Sequence, residues 1–249
     1  MISARDFLVR GLLAGLSAGV VAFGVAYLLG EPSVNAAIAI EESAHGGGEE
    51  MVPRALQSTA GLLTGTMVAG VTLGGLVGVI SALALGRLGR LGVRGMSLFV
   101  TAIGFVSASL LPFVAYPPNP PAVGHPETIG TRSQLYFIMV AISIIAAITA
   151  VLVGRKLAVR WGTWYASLTA IAGYLLVSLS AIALLPTYSE VPADFPATVL
   201  FEFLMASLAT QLSLWATIGI ALGELLYRLQ DHKEVQVTEL DYAGTNALT

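Results

Sequence analysis

The sequence predicts an all-α fold: a polytopic membrane bundle of six transmembrane helices with both termini cytoplasmic. Three observations carry this expectation. Hydrophobic residues make up 56% of the 249-residue chain, charged residues only 11%, and the mean hydropathy is +0.82. Soluble domains carry about 25% charged residues, so the excess apolar surface must face lipid. Six apolar stretches each approach the roughly 20 residues needed to cross a bilayer. The basic residues fall between those stretches in an alternating pattern. Net charge of −3 and a pI near 5.6 exclude a generally basic nucleic-acid binder. The absence of cysteine excludes disulfides, thiolate metal sites and iron–sulfur clusters, and three histidines are too few for a multi-histidine metalloenzyme.

The six expected spans are residues 11–29, 61–85, 96–116, 134–154, 163–186 and 198–226. The first follows Arg5 and Arg10, as a signal peptide would. Its apolar run is longer than a signal core, and no small-x-small site follows Leu28-Leu29-Gly30, so it reads as a retained helix. Gly11, Gly15 and Gly19, then Gly61 and Gly65, then Gly70, Gly74 and Gly78, form small-residue stripes. Such stripes let helix backbones approach closely, so spans one and two should pack on each other or on a partner helix. Span six carries Glu202, Gln211 and Glu224, and polar groups at membrane depth usually face a bundle interior or a water-filled route. Glu202 and Gln211 are the pathway candidates. Residues 1–229 thus form one transmembrane domain. The polar, mixed-charge segment 230–249 is expected to be a disordered cytoplasmic tail.

Orientation follows from the twelve Lys and Arg residues. Ten of them, Arg5, Arg10, Arg87, Arg90, Arg94, Arg155, Lys156, Arg160, Arg228 and Lys233, lie on one side; Arg54 and Arg132 lie on the other. The positive-inside rule makes the first side cytoplasmic. The inner connections are short topology signals. Gly86-Arg87-Leu88-Gly89-Arg90 lacks the phosphate-loop arrangement, and no ATP site is visible.

The outer loops hold Glu31, Glu41, Glu42, Glu49, Glu50, Glu127, Glu190 and Asp194 against two bases, a local charge of −6. An acidic surface of this kind concentrates cations at a mouth; retention of bases inside would also produce it. Pro32 suits the first turn of a helix. If that helix continues, Glu41 and His45 share a face and offer a carboxylate and an imidazole to a divalent transition metal. Glu42 adjoins them, while Glu190 and Asp194 sit between Pro186, Pro192 and Pro196, where a stiff backbone would hold carboxylates in fixed directions. These five residues are the metal candidates. A faint repetition links Leu28-Leu29-Gly30-Glu31-Pro32, Leu110-Leu111-Pro112 and Leu184-Leu185-Pro186, with Pro118 and Pro192 at matching offsets.

Several segments resemble the CbtA family of predicted cobalt transporter components. They are Gly30-Glu31-Pro32-Ser33-Val34, Ile38-Ala39-Ile40-Glu41-Glu42 followed by His45, residues 116–124 (YPPNPPAVG) and residues 190–198 (EVPADFPAT). Thr128-Ile129 with Arg132, and Ser207 with Thr210-Gln211, also match. The resemblance covers residues 8 to 228. It implies an inner-membrane, non-enzymatic component for cobalt uptake linked to cobalamin supply. It also implies a small single-span partner, CbtB, with a histidine-rich terminus. No tightly bound cofactor is expected, only Co²⁺ or the similar Ni²⁺ as transported ion. The chain departs from the family in having one histidine in the first outer loop, where many relatives have several. It also has Leu204 where relatives often have arginine.

Two functions compete at this point. A transport component would capture the cation at the outer loops and pass it along the polar face of span six. With no ATP site, a membrane potential, an ion gradient or a further protein would drive it. A non-transporting scaffold would instead dock a metal-delivering partner through the proline-rich loops.

Overall fold

A computed structural model describes residues 2–45, 52–89 and 91–246, and the described residues are all-helical with no strands. Among the described residues five helices are long and apolar enough to cross a membrane: Ala4–Ser43, Arg54–Ala84, Val93–Ala115, Pro126–Leu184 and Ala197–His232. Their most apolar windows are only 22–33% buried, and residues such as Leu28, Phe137 and Leu176 stand open. That much bare hydrocarbon is stable only against lipid. The chain is a multi-pass membrane protein.

The sequence predicts six spans where five such helices stand, because the fourth holds both the fourth and fifth expected spans. Helix α7 (Ile129–Leu184) counts 56 residues, which unbroken would run about 84 Å. It is broken at Gly162, whose φ of 75° and ψ of 161° belong to a region essentially closed to side-chain-bearing residues. The two arms then fold back on each other. The Ser143 and Tyr174 hydroxyls meet at 2.8 Å, and a Cβ added at Gly154 would lie 3.1 Å from that of Ala170. In a straight helix Ser143 and Tyr174 would be about 46 Å apart. Residues 155–161, expected as a connection, are helical instead. They contain no proline or glycine, so nothing stops the helix before Gly162.

Among the described residues three π-helical stretches each interrupt one of the first three long helices: Ala26–Gly30 between α1 (Ala4–Val25) and α2 (Glu31–His45), Gln57–Gly61 between α3 (Arg54–Leu56) and α4 (Leu62–Ala84), and Phe105–Leu110 between α5 (Val93–Gly104) and α6 (Leu111–Ala115). Two of them immediately precede Pro32 and Pro112. A proline ring inside an α-helix strikes the carbonyl four residues back, and a wider π-turn moves that carbonyl aside. The Leu-rich repetition ahead of these prolines is therefore a structural device in the first two copies. In the third, the helix ends at Leu184.

The helices form two compact units, each assembled from separated stretches of chain. The first comprises 1–23, 63–102 and 213–249. There the stripe Gly11, Gly15, Gly19 lies directly on Gly70, Gly74, Gly78, so spans one and two pack on each other. A Cβ at Gly74 would fall 2.6 Å from the Gly15 Cα. Gly219 similarly seats against the Thr101 side chain, and Arg10 Nε donates to the Leu225 carbonyl at 3.2 Å. Arg94 binds Glu224 at 2.5 Å and lies 3.6 Å over the Tyr227 ring, while Arg228 takes the other Glu224 oxygen at 2.8 Å. Glu224 is thus a fastening between helices. Helix α8 (Ala197–Asn246) runs on past Glu224, since no glycine or proline stands between Glu224 and Tyr242 to end it.

The second unit comprises 24–62 and 103–212. Its proline-rich segments make two matching turns. The Val123 amide donates to the Pro120 carbonyl and the Phe195 amide to the Pro192 carbonyl, at 3.2 and 3.1 Å. Each turn delivers one apolar side chain, Val123 or Phe195, into a small core with Ala37 of α2, covered by Ile40, Val199 and Leu200. The structural partner of Pro192 is therefore Pro120, not Pro118 as the offsets implied.

Candidate functional site

The second unit contains a cavity of about 440 Å³ bordered by two of the π-helical stretches and by the residue that follows the other. Ala26, Gly30 and Ser109 come from two of them, and Leu62 directly follows the third. π-turns place side chains off the regular helical register, and are common at functional sites for that reason. Glu31 and Val34 enter from α2, Phe113 from α6, Tyr136 from α7, and Tyr116 and Pro118 from the loop that follows α6. Helix α8 supplies Phe203, Ala206, Ser207, Thr210 and Gln211, the spacing of one continuous helical face.

That spacing separates the two pathway candidates. Gln211 lines the cavity and accepts a hydrogen bond from Ser109 Oγ at 3.3 Å. Glu202 is nine positions earlier, half a turn round the helix, and is exposed outside the lining. The signal for the true face was present in the sequence as Ser207, Thr210 and Gln211. Glu31, Ser109, Tyr116 and Tyr136 could not be found that way, since they join the face only through tertiary packing.

Glu31 is the one carboxylate in the lining. Its side chain is 14% exposed, and its Oε2 receives Nη2 of Arg54, which stands on α3. Arg54 Nε also donates to Asn35 Oδ1, 3.1 Å away on α2. The remaining polar lining is neutral oxygen and amide: hydroxyls of Ser109, Ser207, Thr210, Tyr116 and Tyr136, and the Gln211 side chain. The Tyr116 hydroxyl donates to the Pro186 carbonyl at 2.8 Å and ties the two loops at this end together. Oxygens of this kind suit a hard cation or the water shell of a hydrated one.

The five metal candidates are distributed as follows. Glu41 and Glu42 are exposed on α2, which does continue from Pro32 to His45, so Glu41 and His45 stand one turn apart. The His45 side chain, like Glu49 and Glu50, lies outside the described residues. Asp194 is exposed in the Pro192–Phe195 turn. Among the described residues no three His, Asp or Glu side chains gather as a metal-binding group.

Glu190 is held by hydrogen bonds more than by backbone stiffness. Its side chain is 9% exposed; Oε2 accepts from Thr128 Oγ1 and from the His125 amide, both at 3.0 Å, and faces Arg132 Nε at 3.5 Å. The Thr128 bond holds its carboxyl below the usual 4.5; burial opposes this, and the His125 amide and the Arg132 charge assist. A lowered folded-state value means the unfolded chain binds more protons in this range. The clasp therefore stabilises fully above the ordinary carboxylate range and is lost as pH falls through the depressed value. We expect the melting-temperature difference between wild type and Glu190→Gln, measured in detergent, to shrink as pH falls from the ordinary carboxylate value of 4.5 through the depressed one. A constant difference would show that the charge is not what holds the loops.

A family model described as probable cobalt transporter subunit (CbtA) matches residues 4–227. No curated protein and no solved structure matches the chain.

Proposed function

Because the chain belongs to the CbtA family of probable cobalt transporter subunits, we propose that it carries Co²⁺ inward through the cavity bounded by Glu31 and the Ser207–Gln211 face. The family is one of transporter subunits, not of enzymes. The observation that supports this route is a cavity of about 440 Å³ among apolar helices whose mostly apolar wall carries hydroxyls, one amide and one carboxylate. Polar groups at membrane depth are costly and usually mark a route or a site. A hydrated Co²⁺ would keep much of its water and exchange hydrogen bonds with the lining hydroxyls.

In this reading the membrane is the cytoplasmic membrane, the halves of α7 on either side of Gly162 make the fourth and fifth of six spans, and both termini are inside. The outer acids then supply the cation. Glu41, Glu42 and Asp194 are open to solvent and attract it electrostatically. His45, one turn beyond Glu41, adds an imidazole, a good ligand for this metal. Glu190 contributes field while its oxygens hold the loops. Membership of a multi-component transporter implies a partner; we propose a small single-span, histidine-rich CbtB protein, with cobalamin supply as the destination.

The test is radioactive cobalt uptake into proteoliposomes containing the chain, with and without that partner. Saturable uptake supports transport through this chain. Metal delivery by the partner alone, unaffected by the chain's presence, would replace this reading with the scaffold. Reporter fusions near residues 124 and 193 active only outside the cytoplasm, with fusions after Arg160 inactive, would establish the orientation.

A further inference from the structure

The Glu31–Arg54 pair poses a question that cobalt passage alone does not answer. Glu31 is in the cavity wall, but Arg54 is not. The guanidinium reaches the carboxylate from α3 and is steadied from behind by Asn35. A divalent cation in the cavity and the Arg54 guanidinium would seek the same carboxylate. Both interactions are charge-assisted and partly shielded from water, where such contacts are stronger than at an open surface. Nothing else in the lining carries a formal charge, so this carboxylate is the one anionic group the cavity offers a cation.

We propose that Glu31 is the cation-binding carboxylate of the cavity and that Arg54 is its built-in competitor. With the cavity empty, Arg54 neutralises Glu31 and spares the protein an unpaired charge among apolar helices. An arriving divalent cation displaces the guanidinium from Oε2. When the cation leaves, Arg54 returns and lowers the cost of release. The competitor keeps binding weak enough for the ion to move on, a requirement of any conducting site. Asn35 is a positioning residue that holds the guanidinium within reach.

This inference rests on the cavity being the cation's route, and its test separates the two. Equilibrium dialysis with radioactive cobalt chloride would be run on the purified full-length chain in detergent. The background would be Glu41→Gln, Glu42→Gln and His45→Ala, so that binding reports on the cavity. Arg54→Gln should tighten binding by about tenfold, the scale of a lost charge-assisted hydrogen bond. Arg54→Lys should stay near the background value. Glu31→Gln should weaken binding by about tenfold or more, and adding Arg54→Gln to it should change nothing further. If folded Arg54→Gln binds no tighter than the background, Arg54 is only a structural clasp and the proposal fails. Should Arg54→Gln fail to fold, Asn35→Ala must tighten binding by about two- to fivefold, since it frees one guanidinium hydrogen bond. No change there would equally overturn the competitor. A chain that transports cobalt with an affinity indifferent to Arg54 sinks this inference alone. One that binds at Glu31 but carries nothing sinks the transport reading alone.

Discussion

Gly74→Val should remove nearly all folded protein from the membrane. A Cβ at this position meets the Gly15 Cα at 2.6 Å and the Gly15 nitrogen at 2.7 Å, and it also strikes the Gly11 carbonyl. These are backbone atoms of a neighbouring helix, so no rotamer change relieves the clash. The helices must separate along the whole Gly11–Gly19 stripe and lose the close packing that holds spans together in lipid. Overpacking a core costs about 1–3 kcal/mol when side chains can shift, and here they cannot. Gly15→Val should behave in the same way, because its Cβ would lie 2.7 Å from the Gly70 carbonyl carbon. Gly65→Val has nothing within 4 Å and serves as the matched control. Size-exclusion profiles of detergent-extracted protein check all three. A monodisperse Gly74→Val peak at wild-type yield would mean that the two stripes do not meet.

Ser207→Trp should abolish cobalt uptake while leaving the protein folded. Ser207 lies on the α8 face that lines the cavity, in open space that a large ring can enter. Filling it with indole replaces hydroxyl and water by hydrocarbon, and hydrophobic constrictions close a route by excluding water. We expect uptake to fall by about tenfold or more, since a dewetted constriction stops conduction. Ser207→Ala, which leaves the space open, should lose far less. Phe201→Trp is the control: it is exposed and outside the lining. Proteoliposome uptake at matched protein density makes the comparison. Equal loss in Ser207→Trp and Phe201→Trp would show that bulk on α8, and not closure of the cavity, is responsible.

These two positions also show what could be read from the chain. The stripes Gly11–Gly15–Gly19 and Gly70–Gly74–Gly78 were legible as contact surfaces, because a repeat of four residues places them on one side of a helix, whereas Gly61 and Gly65 meet no neighbouring helix. The mutual register of the two stripes, Gly11 with Gly74 and Gly15 with Gly70, was not, since identical spacing fits a partner helix equally well. The family resemblance was legible in the proline-rich segments, and the family match over residues 4–227 agrees with it. Why those segments recur emerged from packing: each ends in a turn that seats Val123 or Phe195 against α2.

By itself, the sequence determined that the protein is helical and lies in a membrane. Those properties follow from local composition and from transfer of single residues between water and lipid, which need no knowledge of neighbours. The tertiary structure decided that α7 turns at Gly162, that the face of Gln211 and not Glu202 lines the cavity, and that Glu31 meets Arg54 across 23 residues. Each depends on which helix lies beside which. That is fixed by backbone conformation at single glycines and by side-chain fit between distant segments, and neither leaves a periodic trace in the chain.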